Sequence, residues 1–142
     1  MSHLLDTNVL SETRRRQPDP GVLAWLATVR PNELFVSVLV IGELRAGVDR
    51  LARRDAVQAD ALGRWLEQLT TVYEDRIVPI TLEIAQEWGR LNVPDRLPAI
   101  DGLLAATALV NDWTLVTRNT ADVESTGVRL LNPFGAPQLS KR

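Results

Sequence analysis

The 142-residue chain contains no cysteine, so disulfides and thiolate metal sites are both excluded. His3 is its one histidine, which leaves an imidazole-based zinc site without a second ligand. On a short buried strand such a histidine reads as a core or rim residue. Lysine appears only at Lys141, so the other basic side chains are all arginine, the residue that forks onto phosphate oxygens best. Long apolar runs are also missing. The longest, Leu34 to Ile41, falls far short of the roughly 18 residues that a bilayer span needs. The N-terminus has no basic stretch leading into an apolar one, and Asp6 interrupts it too early for a secretory signal. A cytoplasmic protein with no membrane partner is the expectation.

Hydrophobic residues make up 45% of the chain and charged residues 24%, a globular rather than a disordered balance. The length suits one domain, read as residues 1–134, followed by a loose tail over 135–142. Net charge is −2, so the chain as a whole does not advertise polyanion binding. Arginines nevertheless cluster at Arg14-Arg15-Arg16 and at Arg50, Arg53 and Arg54. Such clusters suit a solvated helix face or a rim that tracks phosphates.

Short apolar segments predict strands at Leu4-Leu5, Leu34–Val38, Ile77–Ile80, Thr114–Thr117 and Val128–Leu131. Helical spacing recurs between them, over Asn8–Arg16, Val22–Val29, Glu43–Leu51, Val57–Val72, Leu82–Leu91 and from about Pro98 or Ala99 to Asp112. Trp25, Trp65, Trp88 and Trp113 fall on these helices or at a helix end, as core or interface anchors do. Alternation of this kind predicts an α/β fold, a three-layer α/β/α sandwich around a mostly parallel sheet of four to five strands.

In such sheets ligands bind beyond the carboxyl ends of the strands. Asp6 follows the first strand, Glu43 lies early in the helix after the second, Asp101 opens the last helix, and Asn119 and Asp122 follow the fourth strand. All can face one crest. Gathered carboxylates repel one another and need a cation or a shared proton. A hard divalent ion with oxygen ligands, used to hydrolyse a phosphodiester, is the chemistry this pattern suggests. Each residue also has a plainer reading: Asp6 as a helix cap, Asp101 as a complement to a helix dipole, Asp122 as a surface loop acid. Glu43, between Gly42 and Leu44 on an apolar stretch, is the hardest to assign to a solvated face. Phosphate-cradling glycine motifs and a G-x-S-x-G elbow are both absent.

Four blocks together resemble the PIN-domain family, and more narrowly its VapC-type, FitB-like toxins. They are Leu4-Leu5-Asp6-Thr7-Asn8, Gly42-Glu43-Leu44-Arg45-Ala46-Gly47, Ala99-Ile100-Asp101-Gly102-Leu103-Leu104-Ala105, and Leu115-Val116-Thr117-Arg118-Asn119. The closing Gly127-Val128 to Asn132-Pro133-Phe134 fits the same subgroup. The resemblance implies a PIN-like nuclease domain, a Mg²⁺- or Mn²⁺-dependent ribonuclease that is the toxin half of a toxin–antitoxin pair. It implies catalytic or metal-binding roles for Asp6, Glu43 and Asp101. Asp122 matches the family's fourth acid, although Val123 stands where an aromatic is usual, and Asn119 is an alternative for that role. Thr7 and Thr117 match small polar residues near the metal. RNA as substrate, a small antitoxin as partner, a homodimer and a higher toxin–antitoxin assembly are further implications. Arg45, Arg118 and Arg14, Arg15 and Arg16 are candidate RNA contacts. Two other classes stay open on the residues: a phosphatase forming a phosphoaspartate on Asp6, and a non-catalytic phospho-acceptor. The first wants a second aspartate where Asn8 stands; the second wants a lysine after a late strand.

Overall fold

A computed structural model describes residues 1–135 and the backbone of 138–139. Strands β1 (His3–Leu5), β2 (Leu34–Ser37), β3 (Ile77–Val78), β4 (Thr114–Val116) and β5 (Leu130–Asn132) pair in parallel, in the order β3-β2-β1-β4-β5. A sixth strand, β6 (Gln138–Leu139), runs antiparallel along β5. The expected parallel sheet is present. Within the segment expected to be a tail, the backbone of 138–139 pairs with β5; 136–137 and 140–142 lie outside the described residues.

The helices are α1 (Thr7–Thr13), α2 (Pro20–Leu26), α3 (Val38–Ala52), α4 (Ala56–Val72), α5 (Leu82–Leu91) and α6 (Ala99–Asn111). Side chains that compete for backbone N–H groups set most of the starts. Asp6, Asp19, Ser37, Asp55 and Thr81 each accept from the first turn that follows. Ser37 is the instructive case. The run Val38-Leu39-Val40-Ile41 is rich in β-branched residues, and the sequence places the strand's end at Val38 and the helix only from Glu43. Instead Ser37 Oγ accepts from Leu39 N at 3.1 Å, and the chain turns into α3 there, with Val40 and Leu44 buried. A cap and an apolar stripe outweigh a strand propensity worth only tenths of a kcal/mol per residue.

The chain winds from β1 through β2 to β3 in one direction, then returns past β1 to β4. Right-handed crossovers therefore set α1–α4 on one face of the sheet and α5–α6 on the other. Packing of α3 on α4, α5 on α6, and α6 on β1 and β4 agrees with this arrangement. The core lies along the central strands, where Leu4, Leu5, Val36, Leu115, Val116 and Leu130 are buried beneath Val9, Val22, Val40 and Leu104. Reversal of winding opens a crevice at the carboxyl ends of β1 and β4.

Ser37→Ala is expected to cost about 1 kcal/mol through loss of the α3 cap. A denaturant titration of the two proteins measures it. An unchanged midpoint would mean that packing alone fixes the start of α3.

Candidate active site

β1 is paired on both edges in the same register: Leu5 lies opposite Val36 of β2 and Val116 of β4. The next residues along, Asp6, Ser37 and Thr117, therefore come level at the carboxyl edge. Asp6 N continues the ladder by donating to Val116 O at 3.0 Å. Its Oδ1 accepts from Thr7 N at 2.7 Å, which caps α1. Oδ2 accepts from Thr117 Oγ1 at 2.7 Å and from Asn8 Nδ2 at 3.3 Å. Burial nonetheless raises the Asp6 pKa above the ordinary carboxylate value, against those hydrogen bonds, and the charge of Glu43 adds to the rise.

Glu43 projects from the second turn of α3, half-buried, and accepts a short hydrogen bond from Thr7 Oγ1. Thr7 thus bridges the neighbourhood of Asp6 to that of Glu43. Asp101 sits in the first turn of α6. Its pKa is raised to about 6, by burial first and then by the charges of Asp6 and Asp122, a hydrogen bond to Asp122, and the charge of Glu43. Asp122 ends a short 3-10 turn, Thr120–Asp122, and is exposed. Asp101 therefore feels all three other acids across the crevice, and Asp6 feels Glu43. Among the described residues none of them forms a salt bridge. Nor, among those residues, do three His, Asp or Glu side chains converge closely enough to coordinate one ion directly.

Asn119 is exposed; its backbone N donates to Thr117 Oγ1 at 2.9 Å. Arg118 N donates to Asn8 Oδ1 at 3.2 Å, so its backbone joins the same network. Arg45 lies two residues past Glu43 on the exposed side of α3 and pairs with Asp49 at 3.7 Å. Arg14, Arg15 and Arg16 follow α1, a helix length of roughly 10 Å from Asp6, with Arg15 paired to Glu12 at 3.6 Å. His3 is buried edge-on to Trp25, ring centroids 5.2 Å apart, and belongs to the core rim. Val123 is buried beneath the turn that carries Asp122. Sequence reasoning missed the part played by Asn8. Its amide ties Asp6, Thr117 and the Arg118 backbone together. The signal was available as an asparagine two residues after a strand-ending aspartate, but its partners come from a strand more than a hundred residues away.

The PIN domain model matches residues 3–124. The chain belongs to the PIN-domain family. Toxin FitB of Neisseria gonorrhoeae is 32% identical over 137 residues, covering 92% of this chain and 97% of that protein. VapC ribonuclease Y4jK of Sinorhizobium fredii is 30% identical over 139 residues, covering 92% and 96% respectively. The crystal structure of FitAcB from Neisseria gonorrhoeae superposes with a TM-score of 0.85 at 32% identity, covering 92% of this chain and 97% of that one. The matches extend from β1 through the acid-bearing turn after β4, so the crevice of this PIN domain lies wholly inside the shared region.

The raised Asp101 pKa carries a sign for stability. The folded state resists ionising Asp101, whereas the unfolded chain ionises it near 3.8. No penalty exists below that value, where both states hold the proton. It grows as pH rises from about 4 to about 6 and is complete above. In EDTA, Asp101→Asn is therefore expected to melt above its parent at pH 8 and level with it at pH 4. Parallel melting curves across that range would show that the carboxylates are not electrostatically coupled.

Proposed function

We propose that this PIN-domain protein is an endoribonuclease, the toxin half of a type II toxin–antitoxin pair, with residues 1–134 as its nuclease domain. In this reading Asp6, Glu43, Asp101 and Asp122 form the catalytic, metal-holding centre. The observation that carries it is the crowding of four carboxylates at the winding reversal with no basic partner among the described residues. Such crowding is tolerable when a cation joins it. An all-oxygen donor set without sulfur or imidazole fits Mg²⁺ or Mn²⁺. The names of the similar VapC ribonuclease and toxin FitB support RNA cleavage and toxicity.

When bound, a divalent ion supplies positive charge to a phosphodiester and makes water more acidic. The chain's own residues supply the geometry. Asp6 is fixed by Thr7, Thr117 and Asn8, with both carboxylate oxygens oriented. Glu43 is oriented by Thr7. Asp101 feels the charges of Asp6, Asp122 and Glu43, and would share with them in holding the ion. Asp122 rather than Asn119 completes the set, because Asp122 acts directly on Asp101 whereas Asn119 engages Thr117 through its backbone. Arg45, Arg118 and Arg14–Arg16 are assigned to phosphate contact around the acidic centre. A small antitoxin, a homodimer, a higher toxin–antitoxin assembly and a cytoplasmic setting belong to the same reading. No helix among the described residues is long and apolar enough to cross a membrane. Nothing favours the phosphatase or phospho-acceptor readings. The second position after Asp6 holds Asn8, whose amide is engaged in bridging.

Purified protein is expected to cleave RNA with Mg²⁺ and to stop on addition of EDTA. Glu43→Gln should lower kcat by about 10²-fold or more with little change in melting temperature. Chelator-resistant cleavage, or full activity in that variant, would remove the acidic centre from the mechanism.

A further inference from the structure

Two arginines stack on aromatic rings among the described residues, and they differ in what their N–H groups do. Arg76 lies over Tyr73 at 4.7 Å, and its N–H groups are committed to Asp75 and to the carbonyls of Pro31, Leu34 and Val72. It is a structural staple. Arg118 lies over Phe134 at 3.7 Å from the ring centroid. Among the described residues its guanidinium makes no hydrogen bond and no salt bridge, and the residue is exposed.

Both ends of this stack are anchored. Arg118 follows Thr117, whose hydroxyl bonds Asp6, and Arg118 N donates to Asn8 Oδ1 at 3.2 Å. Phe134 N donates to Asn132 Oδ1 at 3.0 Å, and the next residue, Gly135, donates its N–H to Asp19 Oδ1 at 3.0 Å. The segment also lies hard against the start of α2. A Cβ on Gly21 would fall 1.9 Å from Gly135 O and 2.4 Å from Pro133 O, so only glycine admits this approach. The segment is thereby clamped, and its ring faces the guanidinium of Arg118, whose charge also acts on Asp19.

An exposed arginine ordinarily samples many rotamers and loses that freedom when it binds. A ring beneath its plane removes part of that loss while leaving the N–H edge open to phosphate oxygens. We propose that Arg118 is a pre-set phosphate contact for the RNA strand, and that Phe134 is its positioning residue. This rests on the nuclease reading given above. It assigns to the clamped segment Pro133–Gly135 a part in substrate binding as well as in folding.

The test measures binding and turnover separately. Fluorescence anisotropy with a fluorescein-labelled single-stranded oligoribonucleotide, in an Asp101→Asn background, reports affinity without cleavage. Arg118→Gln should weaken binding several-fold and flatten the salt dependence by about 0.7 in the slope of log K against log salt, the value for one lost single-strand phosphate contact. Phe134→Leu keeps apolar volume but removes the ring, and should weaken binding about two- to fivefold, the range set by an exposed cation–π contact. Phe134→Trp should restore it. With Asp101 intact, both losses should appear mainly in KM. Thermal melts run alongside distinguish a purely structural role: Leu and Trp variants that differ in melting but not in affinity would overturn the proposal. So would an Arg118→Gln variant that binds with parental affinity and slope. If the parent protein fails to cleave RNA at all, the nuclease reading falls instead, and the anisotropy series still decides whether Arg118 and Phe134 bind a polyphosphate strand.

Discussion

A three-residue strand holds this molecule together. β1 is paired along both edges in one register, which aligns the ends of β2 and β4 with its own. Three features follow from that alignment. Asp6 emerges as both the last rung of a ladder and the cap of α1. Ser37 turns the chain into α3 at the same level, which sets where Glu43 lies. Thr117 arrives from the other side with its hydroxyl on Asp6. A slip of one residue on either edge would turn these side chains to opposite faces.

Above that rung the electrostatics run against folding. Asp6 is buried with its pKa raised, and Asp101 feels burial and three other carboxylates. A protein that retains such a group, with no basic partner among the described residues, gives up stability at neutral pH to keep negative charge in one place. Threonine and asparagine side chains, rather than arginines, hold Asp6 and Glu43 still. Hydroxyl and amide donors orient a carboxylate without neutralising it. Arg14, Arg15, Arg16, Arg45 and Arg118 are all exposed.

The alternation of strands and helices was legible because buried parallel strands and amphipathic helices leave different periodicities. Boundaries were less so. Val38–Ile41 has strand-like composition, yet a serine cap and a buried stripe make it helix. Residues 138–139, within the segment read as a tail, pair with β5 through ladder bonds, which depend on a neighbour rather than on their own side chains. The acids were legible as a set, since each follows a strand or opens a helix. Their differing environments were not. Asp6 is buried and triply hydrogen-bonded while Asp122 is exposed, a contrast that comes from the packing of neighbouring elements.

Residue order alone determined the fold class, the family blocks, and the placing of acids at element ends, because these depend on local pattern and on the rule that ligands sit beyond parallel strand ends. Tertiary structure decided what distance along the chain conceals. Asn8 meets Thr117 and Arg118 from the opposite side of the sheet switch, and Phe134 meets Arg118 only because Asp19 and Gly21 draw the chain end against α2. Contacts between remote segments depend on register and packing, and neither is written in the periodicity of any one segment.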